Sequence, residues 1–464
     1  MRLQSPWQPR LTGDMDSPCD RLVAAVSEDI AAGRLEVGDR LPAHRDLAWR
    51  LGIGLGTVTK AYGILERRGL LRSVKGRGTF VAVTEARRGD VIDLSRNAPP
   101  AVISERLLSR SLNAIARRID ADVFNTYPPV TGHQRFRQEM ARWFRRLGLD
   151  ADPSCLLLTN GAQHALSVSL STLCGPGGTL YVEEQTYPGL INVARHLGVK
   201  LTSIAMDDEG MLPDQLEREL ATSRGSNAAV YLTPTMQNPT TSSMSKARRS
   251  AIALICRKSG IIVIEDDVYA LAPDPDYPPI ASLAPEHVFY INSLSKTLNP
   301  ALRIGGLVVP PAWLDRAETA MHASGLMISP LSCSVMEQWL LDGTADAIST
   351  AIQEEAIRRR AMATDLLGQA VRQPVHVGYH LWVPLGHSHA GALETAAKAL
   401  GILVTPPSST SANGISSGIR LCIGAPSSED LEQALPAIRR IVDRFRIETG
   451  AGTARNTRPL LPLR

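Results

Sequence analysis

Apolar side chains recur at Leu22, Val26 and Ile30, one stripe of a helix that Ser17-Pro18 opens and Gly33 closes. A second short helix follows Leu41-Pro42, with Leu47 and Leu51 on one face and Gly52 as its stop. Past Gly54 and Gly56 a third helix is expected, burying Val58, Ala61, Tyr62 and Leu65 and turning Thr57, Thr59 and Lys60 outward. Leu70–Val74 and Thr79–Val83 read as two short strands around the turn Lys75-Gly-Arg-Gly78. From residue 91 the pattern changes to helices alternating with short apolar runs: 155–159, 179–182, 228–233, 260–264 and 287–291. Continuously apolar strands between helices predict a mainly parallel sheet covered on both faces. In such a sheet ligands bind at the C-terminal ends of the strands.

Three helices and a hairpin with a basic tip make a winged helix-turn-helix, whose third helix enters the major groove of DNA. Charge supports this. Residues 1–90 hold 15 Lys/Arg and 11 Asp/Glu, whereas the remaining chain is balanced at 35 and 35. A neutral bulk with one basic segment implies a local polyanion contact. The runs Gly33–Ala48, Gly56-Thr-Val-Thr-Lys-Ala-Tyr62 and Gly76-Arg-Gly-Thr-Phe-Val81 resemble the GntR family of DNA-binding domains. The resemblance implies that Arg45, Thr57, Thr59, Lys60 and Arg77 contact double-stranded operator DNA. Many relatives have Ser/Thr-Arg at the start of the recognition helix; this chain has Gly54-Leu55, so a base-reading arginine is missing there.

The strand ends of the larger part carry a coherent chemistry. One is followed by Thr233-Pro-Thr-Met-Gln-Asn-Pro-Thr240, another by Glu265-Asp-Asp-Val-Tyr269, a third by Asn292-Ser-Leu-Ser-Lys-Thr297, and Arg303 stands seven residues past Lys296. A lysine between hydroxyls with a nearby arginine suits a Schiff-base amine and a phosphate clamp; a carboxylate beside a pyridine nitrogen keeps it protonated. Each element alone is common in surface loops and turns. Their order at successive strand ends is what carries the reading.

This part resembles the fold-type I, class I aminotransferases, enzymes that use pyridoxal 5'-phosphate. The likeness implies an internal aldimine at Lys296, with Asp266 on the pyridine nitrogen and Asn238 and Tyr269 on the ring hydroxyl. It implies a phosphate cup from Ser293, Ser295, Arg303 and the backbone of Ala162 and Gln163 at a helix start. Tyr187 would stack on the ring. Tyr127 would reach a neighbouring subunit's phosphate, which implies a homodimer, and Arg420 would grip an α-carboxylate. His380 is either part of the same pocket or a packed strand histidine. The family's Asn-Pro-Thr-Gly is altered to Asn238-Pro-Thr-Thr241, so the loop conformation that glycine allows is expected to differ.

The fusion resembles the MocR subfamily of transcription regulators. It implies an N-terminal winged helix-turn-helix (17–82), a linker (83–90), an aminotransferase-like α/β domain with a smaller α+β C-terminal part (91–450), and a frayed tail (451–464). The eight-residue linker spans at most about 28 Å. The resemblance implies a sensor of a small amino compound, or of pyridoxal phosphate itself, by exchange at Lys296; the alternative is a working aminotransferase with a DNA-binding head. Composition adds exclusions. No apolar run is long enough to span a membrane, and the polar, proline-broken start offers no export-signal core. Six scattered cysteines without a C-x-x-C pair argue against both disulfides and a structural zinc, and point to a cytoplasmic protein.

Overall fold

The computed structural model describes residues 7, 17–31, 34–35, 39–67, 70–74, 78–81, 91–118, 120–222, 227–270 and 274–455. The chain forms two compact units, one of residues 1–95, 388–405 and 426–464, the other of 96–387 and 406–425.

In the first unit, α1 (Pro18–Ala31), α2 (His44–Leu51) and α3 (Leu55–Arg67) precede a hairpin of β1 (Leu71–Val74) and β2 (Gly78–Val81). The expected stripes close on one another: Leu22, Val26, Leu47, Val58, Ala61, Tyr62 and Leu65 share one buried cluster. Burial of each large apolar side chain is worth roughly 1.5–3 kcal/mol. The Tyr62 hydroxyl donates to the Pro42 carbonyl at 3.0 Å, so this polar atom is carried into the core with its hydrogen bond made. Gly52, at φ 64°, ends α2 in the left-handed conformation that its lack of a Cβ permits. The third helix begins at Leu55, which puts Gly56 inside its first turn. The hairpin tip with Arg77, the linker 83–90 and residues 456–464 of the expected frayed tail lie outside the described residues, whereas 451–455, expected to fray, continue the helix Ser428–Arg455.

The second unit is built on a seven-stranded sheet of β3 (Leu156–Thr159), β4 (Thr179–Glu183), β5 (Lys200–Ile204), β6 (Ala228–Leu232), β7 (Ile262–Asp266), β8 (Val288–Ser293) and β9 (Gly305–Val308). Its order is β3-β9-β8-β7-β6-β4-β5. β9 alone is antiparallel to its neighbours, β3 and β8. The five expected strands are present, joined by β5 at one edge and by β9. Buried residues such as Leu157, Val182, Tyr231, Ile264, Phe289 and Leu307 fill one continuous core around the sheet, as continuously apolar strands require. α4 (Ala162–Leu173) follows β3, and a separate antiparallel pair, β10 (His380–Pro384) with β11 (Gly418–Cys422), completes the elements that shape the site. No helix among the described residues is long and apolar enough to cross a membrane.

Candidate cofactor and effector site

A cavity of about 130 Å³ lies where β3, β7 and β8 end, and most of the expected residues line it. Ala162 and Gln163 come from the start of α4 and Asn238 from the loop after β6. Asp266 and Tyr269 follow β7, while Ser293, Ser295, Lys296 and Arg303 follow β8; Tyr187 closes one side. Thr233, Val268 and Pro300 complete the lining.

Each side chain is held for a local reason. Gly161 has φ 81°, and a Cβ there would stand 2.8 Å from the Arg303 guanidinium, so this turn needs glycine. Arg303 is itself left-handed at φ 53° and donates to the Asn160 carbonyl at 3.1 Å. Ser293 caps the short helix Leu294–Thr297, its oxygen accepting from the Ser295 amide at 3.1 Å. That turn carries Lys296 inward, where its amine donates to the Asn97 carbonyl and lies 5.9 Å from the Tyr269 ring centre. Burial, then the Arg420 charge, pulls the lysine down from 10.5 to about 8. Asp266 accepts from the Tyr231 hydroxyl at 2.9 Å through one oxygen; the other has no partner among the described residues. Burial raises this carboxyl to about 6, against the lowering effect of the Tyr231 bond.

The loop bearing Asn238 is fixed by polar groups that the sequence pattern did not single out. Gln237 donates to Glu183 at 3.0 Å and to the Gln185 carbonyl at 2.6 Å, and accepts from Thr240. Fully buried Arg249 donates to the carbonyls of Met244 and Pro234, both at 2.9 Å. Thr241 takes φ 63°, the left-handed region that favours glycine. The expectation of an altered loop is thereby corrected: threonine is accommodated in a glycine-type conformation. The strain is on the order of 1–2 kcal/mol.

Arg420 on β11 is buried and donates to Oδ1 of Asn238 at 2.6 Å. In the β10–β11 register Arg420 faces Trp382 and His380 faces Cys422. His380 is fully buried with its ring 5.0 Å from that of Tyr269, and burial drives it down to about 3. It is therefore a neutral imidazole, held through Nε2 at 3.3 Å from the Gln237 carbonyl, with no partner for Nδ1 among the described residues. Tyr187 donates to Gln163 at 3.1 Å. Tyr127, 80% exposed, does not line the cavity of its own subunit.

Asn97 was missed. Its side-chain amide donates to the Tyr269 hydroxyl at 2.5 Å, and its backbone carbonyl accepts from Lys296. The only local signal is an asparagine in a polar, proline-rich stretch, and its partner lies 199 positions away. On the head, Arg45, Thr59 and Lys60 are exposed and Thr57 is half-buried.

Comparison with known proteins gives this arrangement its class. The model for aminotransferase class I and II matches residues 89–438, and that for bacterial regulatory proteins of the gntR family matches 18–81. The chain is 29% identical over 451 residues to the uncharacterized HTH-type transcriptional regulator YdeF of Bacillus subtilis, covering 94% of this chain and 97% of that protein. It is 28% identical over 435 residues to the vitamin B6 salvage pathway transcriptional repressor PtsJ of Salmonella typhimurium, covering 90% and 97%. The solved α-aminoadipate aminotransferase LysN of Thermus thermophilus shares the fold, with a TM-score of 0.68 over 86% of this chain and 99% of that chain at 22% identity. A DNA-binding head and an aminotransferase fold thus stand in one chain. It belongs to the aminotransferase class I and II family and, with its gntR-type head, has the build of the MocR subfamily of transcription regulators.

Pyridoxal phosphate is the cofactor of this class, and the residues present fit it. The unpartnered oxygen of buried Asp266 suits a pyridinium N–H. The first amides of α4, which have no intrahelical acceptor, together with Arg303 and the Ser295 hydroxyl, which has no partner among the described residues, suit a phosphate.

Proposed function

We propose that the protein is a cytoplasmic, homodimeric transcription regulator that senses a small amino compound, or pyridoxal phosphate itself, in the cavity around Lys296. Bound there, the cofactor supplies an aldehyde carbon that amines attack and a ring that withdraws electrons. Lys296 is the chain's own amine for that carbon, and its depressed basicity keeps a usable neutral fraction near neutral pH. Asp266 would hold the ring nitrogen, Asn238 and Tyr269 the ring hydroxyl, and Ser293, Ser295, Arg303, Ala162 and Gln163 the phosphate. Tyr187 would cover the ring, and Tyr127 would complete the phosphate site of a second subunit.

The observation that carries the reading is buried Arg420, held at Asn238 in a chain that also bears a DNA-binding head. An amino compound whose nitrogen competes with Lys296 and whose acid group meets Arg420 matches both groups. Residues 17–82 would then read DNA in response to the state of residues 91–450, across the linker 83–90.

A second reading, a working aminotransferase with a DNA-binding head, is favoured by the full set of residues around the cavity. One experiment separates them: visible-absorbance titration of the cofactor-loaded protein with a panel of amino acids and amines, with carbonyl product assayed in the same tubes. A spectral change by one compound without product supports the sensor. Repeated turnover to a keto acid or aldehyde establishes the enzyme.

A further inference from the structure

The recognition helix of this head presents an apolar side chain where a hydrogen-bonding one would read bases. α3 starts at Leu55, and its inner face is spent on Val58, Ala61, Tyr62 and Leu65. Leu55 contributes nothing to that core and is 44% exposed. Its neighbours are bare backbone: a Cβ on Gly56 would meet nothing within 4 Å, and one on Gly54 only the Thr57 hydroxyl at 3.6 Å. Leu55 is thus the single side chain projecting from residues 54–56.

One turn on, Thr59 is also exposed, but its hydroxyl is occupied within the head. It donates to the Leu55 carbonyl at 3.0 Å and lies 3.3 Å from Nδ1 of His44. The start of α3 therefore presents an exposed leucyl side chain, with Thr57 beside it half-buried and Thr59, one turn on, already engaged through its polar atom. In the major groove the C5-methyl of thymine is the one apolar feature of a base-pair edge; the other positions are donors and acceptors that a leucine cannot match.

We propose that Leu55 packs against a thymine C5-methyl in the major groove, so that the base pair facing the start of α3 is an A·T pair read by its methyl group. The inference rests on the DNA-binding assignment of the head and adds the chemistry of the base that it reads. The bare backbone at Gly54 and Gly56 is what lets the helix start approach closely enough for the contact.

The test uses the full-length protein. Bound duplexes are selected from a random-sequence library, and the selected duplex is remade with deoxyuridine in place of each thymidine in turn, which removes only the methyl. The expected result is a loss of about three- to tenfold at one thymine of each half-site, the scale of one buried methyl. Leu55→Ala should bind the thymidine and deoxyuridine duplexes equally. Lys60→Ala should weaken both while keeping their ratio. The proposal is overturned if no thymine is sensitive, if Leu55→Ala keeps the preference, or if that variant changes only the oligomeric state. It is equally overturned if selection yields no preferred sequence while non-specific binding persists. Failure to bind any duplex would sink the DNA-binding assignment along with it.

Discussion

Arg420, on a strand of the antiparallel pair, donates to Oδ1 of Asn238 across 2.6 Å, joining residues 182 positions apart behind the cavity, which Asn238 lines and Arg420 does not. Arg420 places a buried positive charge beside the loop of Asn238, the charge that an incoming acid group would meet. Arg420→Ala should leave cofactor binding intact and weaken response to acidic effectors by about 100-fold, the scale of a lost charge-assisted pair. Isothermal titration of the loaded variant against the effector found by absorbance checks this. Loss of the cofactor as well would mean that Arg420 holds the loop rather than the ligand.

Lys296 titrates in an accessible range. Its buried amine is held at about 8 against 10.5 when exposed, so the folded chain binds fewer protons than the unfolded chain between those values. Stability should therefore rise with pH from about 8 to 10.5, a penalty on the order of 3 kcal/mol being fully present below that window and relieved above it. Cofactor-stripped wild type should show this rise in urea midpoints at pH 7.5, 9 and 10.5, and Lys296→Ala should not. Lys296→Ala should also lose covalent cofactor attachment, releasing pyridoxal phosphate on dialysis while remaining folded.

How much of this was legible depended on the range of each signal. The head was readable because its helix stripes and glycine stops act over four or five residues, as at Leu22–Val26 and Gly52. The strand ends were readable because short apolar runs lead into Asp266, Asn238 and Lys296, chemistry that is unusual next to such runs. β9 escaped notice because Gly305-Gly-Leu-Val308 is short and begins with two glycines, and antiparallel insertion is a matter of topology rather than composition. Asn97, Glu183 and Arg249 were illegible for another reason. The partners of Asn97 and Glu183 are brought to them only by the fold, Arg249 turns back onto the loop before its own helix, and a lone polar residue in a sequence carries no mark of burial.

Thr241 stores strain at a site where the backbone demands a left-handed turn. Thr241→Gly should raise stability by about 0.5–1 kcal/mol, the relief of a β-branched residue at positive φ less the extra entropy of an unfolded glycine. Thermal melts of the two proteins decide it. A destabilised variant would show that the threonine side chain contributes more by packing than its backbone costs.

Lys60, exposed on α3, is suited to a phosphate rather than a base. Lys60→Ala should weaken binding to specific and random duplexes alike, and lower the slope of log K against log salt by about 1. Fluorescence anisotropy across a salt series measures the slope, and an unchanged slope would remove Lys60 from the interface.

Asn97 links the lysine and the tyrosine of the same cavity. Because its amide donates to the Tyr269 oxygen, the tyrosine's own proton is free to point into the cavity, toward the ring hydroxyl of the cofactor. Asn97→Ala removes that direction but leaves the backbone carbonyl that receives Lys296. It should reduce cofactor affinity about fivefold, the scale of one hydrogen bond, and shift the pH at which the bound cofactor's absorbance changes. Asn97→Asp should be worse, since a carboxylate accepts and would draw the Tyr269 proton away from the cavity. An order of effects running from wild type through Ala to Asp distinguishes control of the tyrosine's proton from simple packing, which predicts that the near-isosteric Asp is the milder change. Spectrophotometric pH titration of the three loaded proteins reads that order directly.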